Sequence, residues 1–318
     1  MMAVSKQLVR WRKRDPASLR LWTLDRRPLH YIRQVFAMIG LALMTSGCGI
    51  RNTPILNPKG PIAEVERDLL MNAFTIMLIV VIPVFVLTFW FAWHYRAGNK
   101  KATYAPDWSY SWKIDSVTWL VPALIVVSLG LHVWVYTHLL DPFKRLNVEA
   151  KPLEVSVVAQ DWKWLFLYPE QNIATVNQLV FPNGVPLNLR ITSDTVLNSF
   201  FIPALGGQIY AMAGMRTELK LIADEPGQFV GKNTQYSGRG FSDQHFEAIA
   251  MTPQDFENWV AKVRGSPNKL DGTSYAELAK PSAAHPVTYF SGYDADLFEQ
   301  IILKYGSCDD CPGTGISR

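Results

Sequence analysis

Between Ala73 and Trp93 the chain carries no charged residue, and between Ser116 and Tyr136 it again carries none. A helix rises about 1.5 Å per residue, so each run can cross the ~30 Å hydrocarbon core of a bilayer. A backbone in lipid must satisfy its own hydrogen bonds, and a helix does so within the segment. The sequence therefore predicts a transmembrane helical hairpin over 69–140, with spans at about 73–93 and 116–136. Pro83 should kink the first span, because it removes a backbone donor. Trp90, Trp93 and Tyr95 cluster near the end of that span as an interfacial aromatic belt. The connecting loop holds Arg96, Lys100, Lys101 and Lys113, which assigns it to the cytoplasm by the positive-inside rule. What precedes the first span and follows the second then faces the periplasm. His132, inside the second span, reads as a hydrogen-bonding group toward a partner helix rather than a proton relay.

The segment before these spans reads as a bacterial lipoprotein signal, residues 1–47. A basic region precedes the short apolar run Val35 to Met44, and Thr45-Ser46-Gly47-Cys48 follows. Cleavage would leave a mature chain that begins at a lipid-modified Cys48. Residues 48–68 read as a periplasmic connector with Pro54, Pro58 and Pro61. The basic region holds Lys6, Arg10, Arg12, Lys13, Arg14, Arg20, Arg26, Arg27 and Arg33 against Asp15 and Asp25. That excess is larger than the whole chain's net charge of +4. The basic balance therefore does not describe a folded surface, and no nucleic-acid partner is expected.

Residues 150–250 change character. Val155–Val158, Trp162–Tyr168, Leu187–Ile191, Thr217–Ile222 and Phe246–Ala250 read as short strands separated by Gly and Pro turns. Many short strands with such turns argue a Greek-key β-sandwich. After Met251 the pattern turns helical over 251–306. Thr252-Pro253-Gln254-Asp255 offers a cap, a proline at the first helical position and an acid in the first turn. Phe256, Trp259, Val260 and Val263 then share one face, and Leu297, Phe298, Ile301, Ile302 and Tyr305 share another. Pro286–Phe290 reads as a short strand between them. This C-terminal helical arm should pack on the sandwich or on a partner subunit. The tail 307–318 holds Cys308 and Cys311, whose spacing suits a local disulfide or a disordered end.

Two loops of the sandwich carry a resemblance. Asn198-Ser199-Phe200-Phe201-Ile202-Pro203 and Gln235 to Ala248 are similar to the two copper-binding loops of subunit II of the haem-copper terminal oxidases. In the cytochrome c-oxidising branch the second loop reads C-x-E-x-C-x-x-x-H-x-x-M, and the first begins with His. Here the thiolate positions are Tyr236 and Gly240. The bridging Glu position is Gly238, the His position Gln244, the Met position Glu247 and the first-loop His position Asn198. A mixed-valence copper pair needs soft thiolates, and the three cysteines, Cys48, Cys308 and Cys311, all lie outside the sandwich. His245 is one position off the motif, and a one-residue slip in a strand sends a side chain to the opposite face. It reads as a solvated loop histidine.

The chain thus resembles the quinol-oxidising branch, subunit II of cytochrome bo-type ubiquinol oxidases, over nearly all of residues 48–306. Ala159 to Trp164, Tyr168 to Gln171, Gln208 to Met215 and Tyr236-Ser237-Gly238 add to the likeness. The resemblance implies an α+β membrane protein: a transmembrane hairpin, a periplasmic cupredoxin-like Greek-key sandwich and a C-terminal helical arm. It implies a non-catalytic subunit of a proton-pumping ubiquinol oxidase in the bacterial inner membrane, with no metal and no redox cofactor of its own. Oxidase subunits I, III and IV and membrane lipid are the implied partners, and cytochrome c is not. Haems and CuB would belong to subunit I, and ubiquinol is the substrate of the complex. Trp162, Trp164, Met212 and Met215 read as packing residues rather than electron relays or copper ligands. Asp115 sits four residues before Trp119, where the wider family often has a Glu at the cytoplasmic mouth of a proton channel. An ordinary carboxylate on the helix dipole is the other reading of Asp115. Two further functions stay open on the residues alone: a copper-bearing cytochrome c oxidase subunit II, and a stand-alone periplasmic lipoprotein.

Overall fold

A computed structural model describes residues 53–306, apart from 104, 106 and 145–149, together with Met38 and Gly40. Cys48, Cys308 and Cys311 lie outside the described residues.

The two apolar runs form the helices α1 (Pro61–His94) and α2 (Trp112–Leu139), which pack against one another. Their apolar side chains are largely exposed on the isolated chain, as at Phe85 and Leu124. Apolar surface of this extent belongs against lipid or other subunits. α1 begins at Pro61, inside the stretch read as a connector, and the cause is docking rather than hydropathy. Pro61 suits a first helical position, where no N–H is needed. Ala63 is then buried, and Ile62 packs on the sandwich core. Just ahead of the helix, Lys59 N donates to Ala204 O at 2.7 Å, and Asp224 N donates to Lys59 O at 3.1 Å. The hairpin is thereby joined to the underside of the sandwich at both its own chain connection and this backbone clamp. His132 Nδ1 lies 2.8 Å from Ser128 O, so one ring nitrogen is engaged within its own helix rather than across to a partner.

Eleven strands follow in two sheets. The larger is ordered β11 (Thr288–Phe290), β3 (Ile173–Val176), β2 (Lys163–Tyr168), β1 (Leu153–Gln160), β5 (Leu187–Ser193), β8 (Thr217–Leu221). The smaller is ordered β4 (Gln178–Pro182), β10 (His245–Met251), β9 (Gly227–Asn233), β6 (Asn198–Phe201), β7 (Ile209–Ala211). β1 pairs with β5 and β10 with β4 in parallel, and the other pairings are antiparallel. The sheets meet over an aromatic core in which Phe200 and Phe246 stack at 5.0 Å and Trp164 meets Phe200 edge-on at 5.3 Å.

The larger sheet is covered on both faces. Its inner face joins the aromatic core. Its outer face, from Val158, Leu165, Leu167, Ala174 and Val176, packs on Leu270, Leu278, Phe290, Leu297, Phe298 and Ile301 of the C-terminal arm. Every residue of β2 is consequently buried. A strand buried on both faces has no reason to alternate, which is why Lys163–Tyr168 reads as a continuous aromatic run. The arm comprises α3 (Pro253–Arg264), α4 (Gly272–Leu278) and α5 (Leu297–Leu303). Thr252 caps α3 as its sequence suggests, accepting from Asp255 N at 3.2 Å, and Phe256, Val260 and Val263 are its buried face.

Candidate functional site

At one end of the sandwich, Asn198, Asn233 and Gln244 form a closed cluster of buried amides. Asn198 opens β6, Asn233 ends β9, and Gln244 follows a short 3-10 turn at Phe241–Asp243 just before β10. Asn198 Oδ1 accepts from Asn233 Nδ2 at 2.8 Å and from Gln244 Nε2 at 3.0 Å. Gln244 Oε1 accepts from Asn233 Nδ2 at 2.9 Å and from the Ser237 hydroxyl at 2.8 Å. The remaining groups are engaged by backbone: Asn198 Nδ2 donates to Val196 O at 2.8 Å, and Asn233 Oδ1 accepts from Ser199 N at 2.8 Å. All three side chains are almost fully buried. A buried polar network with every member satisfied rigidifies its surroundings, whereas a half-satisfied one is costly.

The neighbouring loop closes on Trp162. This residue sits in the tight turn between β1 and β2 with φ +64, an uncommon conformation for a bulky side chain. Its indole Nε1 donates to Ser237 O at 3.0 Å, which ties the turn to the second loop. Gly240 lies flat on the indole: a Cβ there would come within 2.3 Å of the ring. Gly238, at φ +107, borders the same ring. Tyr236 stands out in solvent beside Phe241, with ring centroids 5.7 Å apart. Glu247 and His245 also face outward on β10, where Phe246 and Ala248 face in, as does Gln244 just ahead of the strand. The fold thus brings Asn198, Gln244, Gly238 and Gly240 together, and leaves Tyr236 and Glu247 outside. Trp164 is core, and Met212 and Met215 are half-buried without converging on a donor set. Asp115 lies in the first turn of α2.

A second polar cluster was not legible as a motif. The Asp194 carboxylate, beside the amide cluster, accepts from Tyr275 OH at 2.6 Å, Lys304 Nζ at 2.7 Å and Tyr305 OH at 3.0 Å. Its side chain is only 2% exposed. It therefore fastens both α4 and the end of α5 to the loop before β6. The hydrogen bond to Asp194 raises Lys304 above the ordinary lysine value, and burial followed by Asp194 raises Tyr275. Burial raises Tyr293 to about 12. On the same face Lys163 Nζ donates to Lys280 O at 2.7 Å and to Ser282 Oγ at 2.6 Å, and burial lowers its pKa.

Residues 124–245 match the family described as cytochrome c oxidase subunit II, periplasmic domain, and residues 264–307 match the COX aromatic rich motif. Subunit 2 of the cytochrome bo(3) ubiquinol oxidase of Pseudomonas putida is 51% identical over 271 residues, 85% of each chain. That of Pseudomonas aeruginosa is 52% identical over 272 residues, 86% of this chain and 81% of its own. This chain belongs to the ubiquinol oxidase subunit 2 family. A periplasmic domain of cytochrome oxidase subunit II from Bradyrhizobium japonicum is also similar, at 20% identity and a TM-score of 0.35, over 37% of this chain and 96% of that one.

Membership of the ubiquinol oxidase subunit 2 family makes this chain one component of a larger respiratory complex. The two loops resemble copper-binding loops in sequence, but the residues present do not suit a copper pair. The thiolate positions are a solvent-facing phenol and a glycine pressed on an indole. The two imidazole positions are amides bonded to each other. Neutral amide oxygens and hydroxyls are hard donors, unsuited to a thiolate-type copper centre. Among the described residues, no three His, Cys, Asp or Glu side chains converge as a metal group.

Proposed function

We propose that this chain is the non-catalytic subunit II of a proton-pumping ubiquinol oxidase of the bacterial inner membrane. α1 and α2 anchor it, their connecting loop lies in the cytoplasm, and the sandwich and arm stand in the periplasm. Subunits I, III and IV complete the assembly. Quinol electrons enter subunit I, which carries the haems and CuB, and none pass through this chain. The observation that carries the reading is the amide cluster: the two positions that would supply imidazoles are engaged with each other at 3.0 Å. A chain with no electron acceptor at this site has no reason to receive cytochrome c.

The peripheral assignments follow the same reading. Residues 1–47 are a signal, and Cys48 is the lipid-bearing first residue of the mature chain. Asp115 is the cytoplasmic mouth of a proton channel that continues into subunit I. Cys308 and Cys311 form a local disulfide. The purified complex should consume oxygen with ubiquinol as donor and show no sustained uptake with reduced cytochrome c. Rapid, inhibitor-sensitive oxidation of cytochrome c would overturn the proposal.

A further inference from the structure

Where the hairpin meets the sandwich there is a cavity of about 320 Å³. Its apolar wall comes from Ile62 of α1 and Leu139 and Leu140 at the end of α2. Its polar wall holds two carboxylates, Glu66 and Asp141, and two ammonium groups, Lys144 and Lys220. Among the described residues, none of these four side chains forms a salt bridge. Glu66 is held by a hydrogen bond from the Gly207 backbone, and Lys220 Nζ donates to Phe143 O at 2.5 Å, which leaves the other ammonium protons free. Asp141 Oδ1 accepts from Phe143 N at 3.0 Å and keeps its second oxygen. Glu66 and Lys220 are half-buried and Asp141 and Lys144 stand exposed at the rim, so the hollow presents charges of both signs to whatever enters it.

The level of the cavity identifies the class of ligand. Glu66 precedes the start of the charge-free run at Leu69 by roughly 4.5 Å along the helix axis. That lies within the headgroup layer, which takes up about 5–7.5 Å on each side of a ~30 Å hydrocarbon core in a bilayer of ~40–45 Å. An anionic headgroup alone would bring a phosphate against two carboxylates, and a cation alone would face two ammonium groups. A ligand bearing both charges matches both pairs, and basic pockets beside membrane helices are a recurrent way to hold a lipid headgroup. A volume near 300 Å³ is the small end of ligand-sized cavities.

We propose that this cavity seats the headgroup of one zwitterionic phospholipid of the phosphatidylethanolamine type. Its phosphate lies against Lys144 and Lys220, its ammonium against Glu66 and Asp141, and its glycerol ester region on Ile62 and Leu140. The lipid then acts as a wedge between hairpin and sandwich. The inference rests on the membrane placement proposed above.

The test uses the purified oxidase complex, delipidated in detergent and titrated with phosphatidylethanolamine or phosphatidylglycerol under native mass spectrometry. Wild type, Glu66→Gln and Lys220→Gln are compared at equal haem content. The expected result is one tightly held phosphatidylethanolamine per wild-type complex, its affinity about tenfold weaker in each variant. Phosphatidylglycerol should bind more weakly to wild type and should gain in Glu66→Gln. Equal phosphatidylethanolamine binding in all three proteins would overturn the proposal, as would equal binding of the two lipids to wild type. A density map showing partner-subunit polypeptide in the cavity would overturn it too. Recovery of the chain in the soluble fraction, without haem-bearing partners, would instead overturn the membrane placement itself.

Discussion

Asn198 Oδ1 accepts a hydrogen bond from Gln244 Nε2 at 3.0 Å, joining the two loops that carry the copper-loop resemblance. Asn233 bridges both amides, so each of the three depends on the other two. Asn198→Ala removes an acceptor from two buried donors at once. Each buried group left unsatisfied costs about 1–3 kcal/mol. The urea midpoint of the sandwich in the purified complex should fall accordingly, with its denaturant slope unchanged. An unchanged midpoint would mean that water replaces the amide without loss.

Gly240 and Trp162 form a second coupled pair. The Cβ of Gly240→Ala would meet the indole at 2.3 Å, so the ring must leave its place or the loop must lift. Overpacking of this kind costs about 1–3 kcal/mol. In Trp162→Ala the space is open, and Gly240→Ala should then be nearly neutral. A double-mutant cycle measures the coupling. Additive effects would show that the indole does not set the residue at position 240.

The arm should loosen in alkali. Lys304, Tyr275 and Tyr293 all have raised pKa values in the folded chain. In the unfolded chain such groups lose their protons near pH ~10. The stabilisation is therefore complete below pH ~10, and it declines as pH rises toward the folded values. Subtilisin cleavage between residues 265 and 305 should increase steeply above pH ~10 while the sandwich stays intact. Asp194→Asn removes the charge that helps hold Lys304 and Tyr275 protonated, so its arm should be more open at neutral pH and respond less to alkali. An identical pH profile in the variant would contradict the latch.

Asp115→Asn should slow steady-state quinol oxidation without loss of haem or of any subunit, and Asp115→Glu should retain most of the activity. If the carboxylate only supports the start of α2, its loss should cost about 0.3–1 kcal/mol locally and leave turnover unchanged. Oxygen uptake by the two variants, normalised to haem and followed from pH 6 to 9, separates the roles. A rate in Asp115→Asn equal to wild type throughout would exclude the channel role.

The hairpin and the type of sandwich were legible because charge-free length and turn chemistry are local properties. Thr252 and the Phe256, Val260, Val263 face of α3 were legible for the same reason. The start of α1 was not, because Ile62 and Ala63 are helical through contacts with the sandwich rather than through hydropathy. β6, with only Asn198–Phe201, and β7, with only Ile209–Ala211, are too short to show a period. β9 alternates exposed with partly or fully buried positions, but its inward side reads Gly227, Phe229, Gly231 and Asn233, so no apolar alternation shows in the sequence. At the site, sequence comparison identified Asn198 and Gln244 by what they lack. That they complete one another required the third amide, Asn233, whose identity carries no spacing signal. Asp194 shows the same limit: its partners Tyr275, Lys304 and Tyr305 lie far along the chain. Two complementary amides at both imidazole positions were the one available hint.

An amide cluster of Asn198, Asn233 and Gln244 occupies the loops that resemble copper-binding loops. Copper should be quantified against haem in the purified complex, with the near-infrared spectrum recorded on the same sample. Copper should be found only at the level of the single centre proposed for subunit I, with no mixed-valence band in the near infrared. Two further coppers per complex together with that band would contradict this.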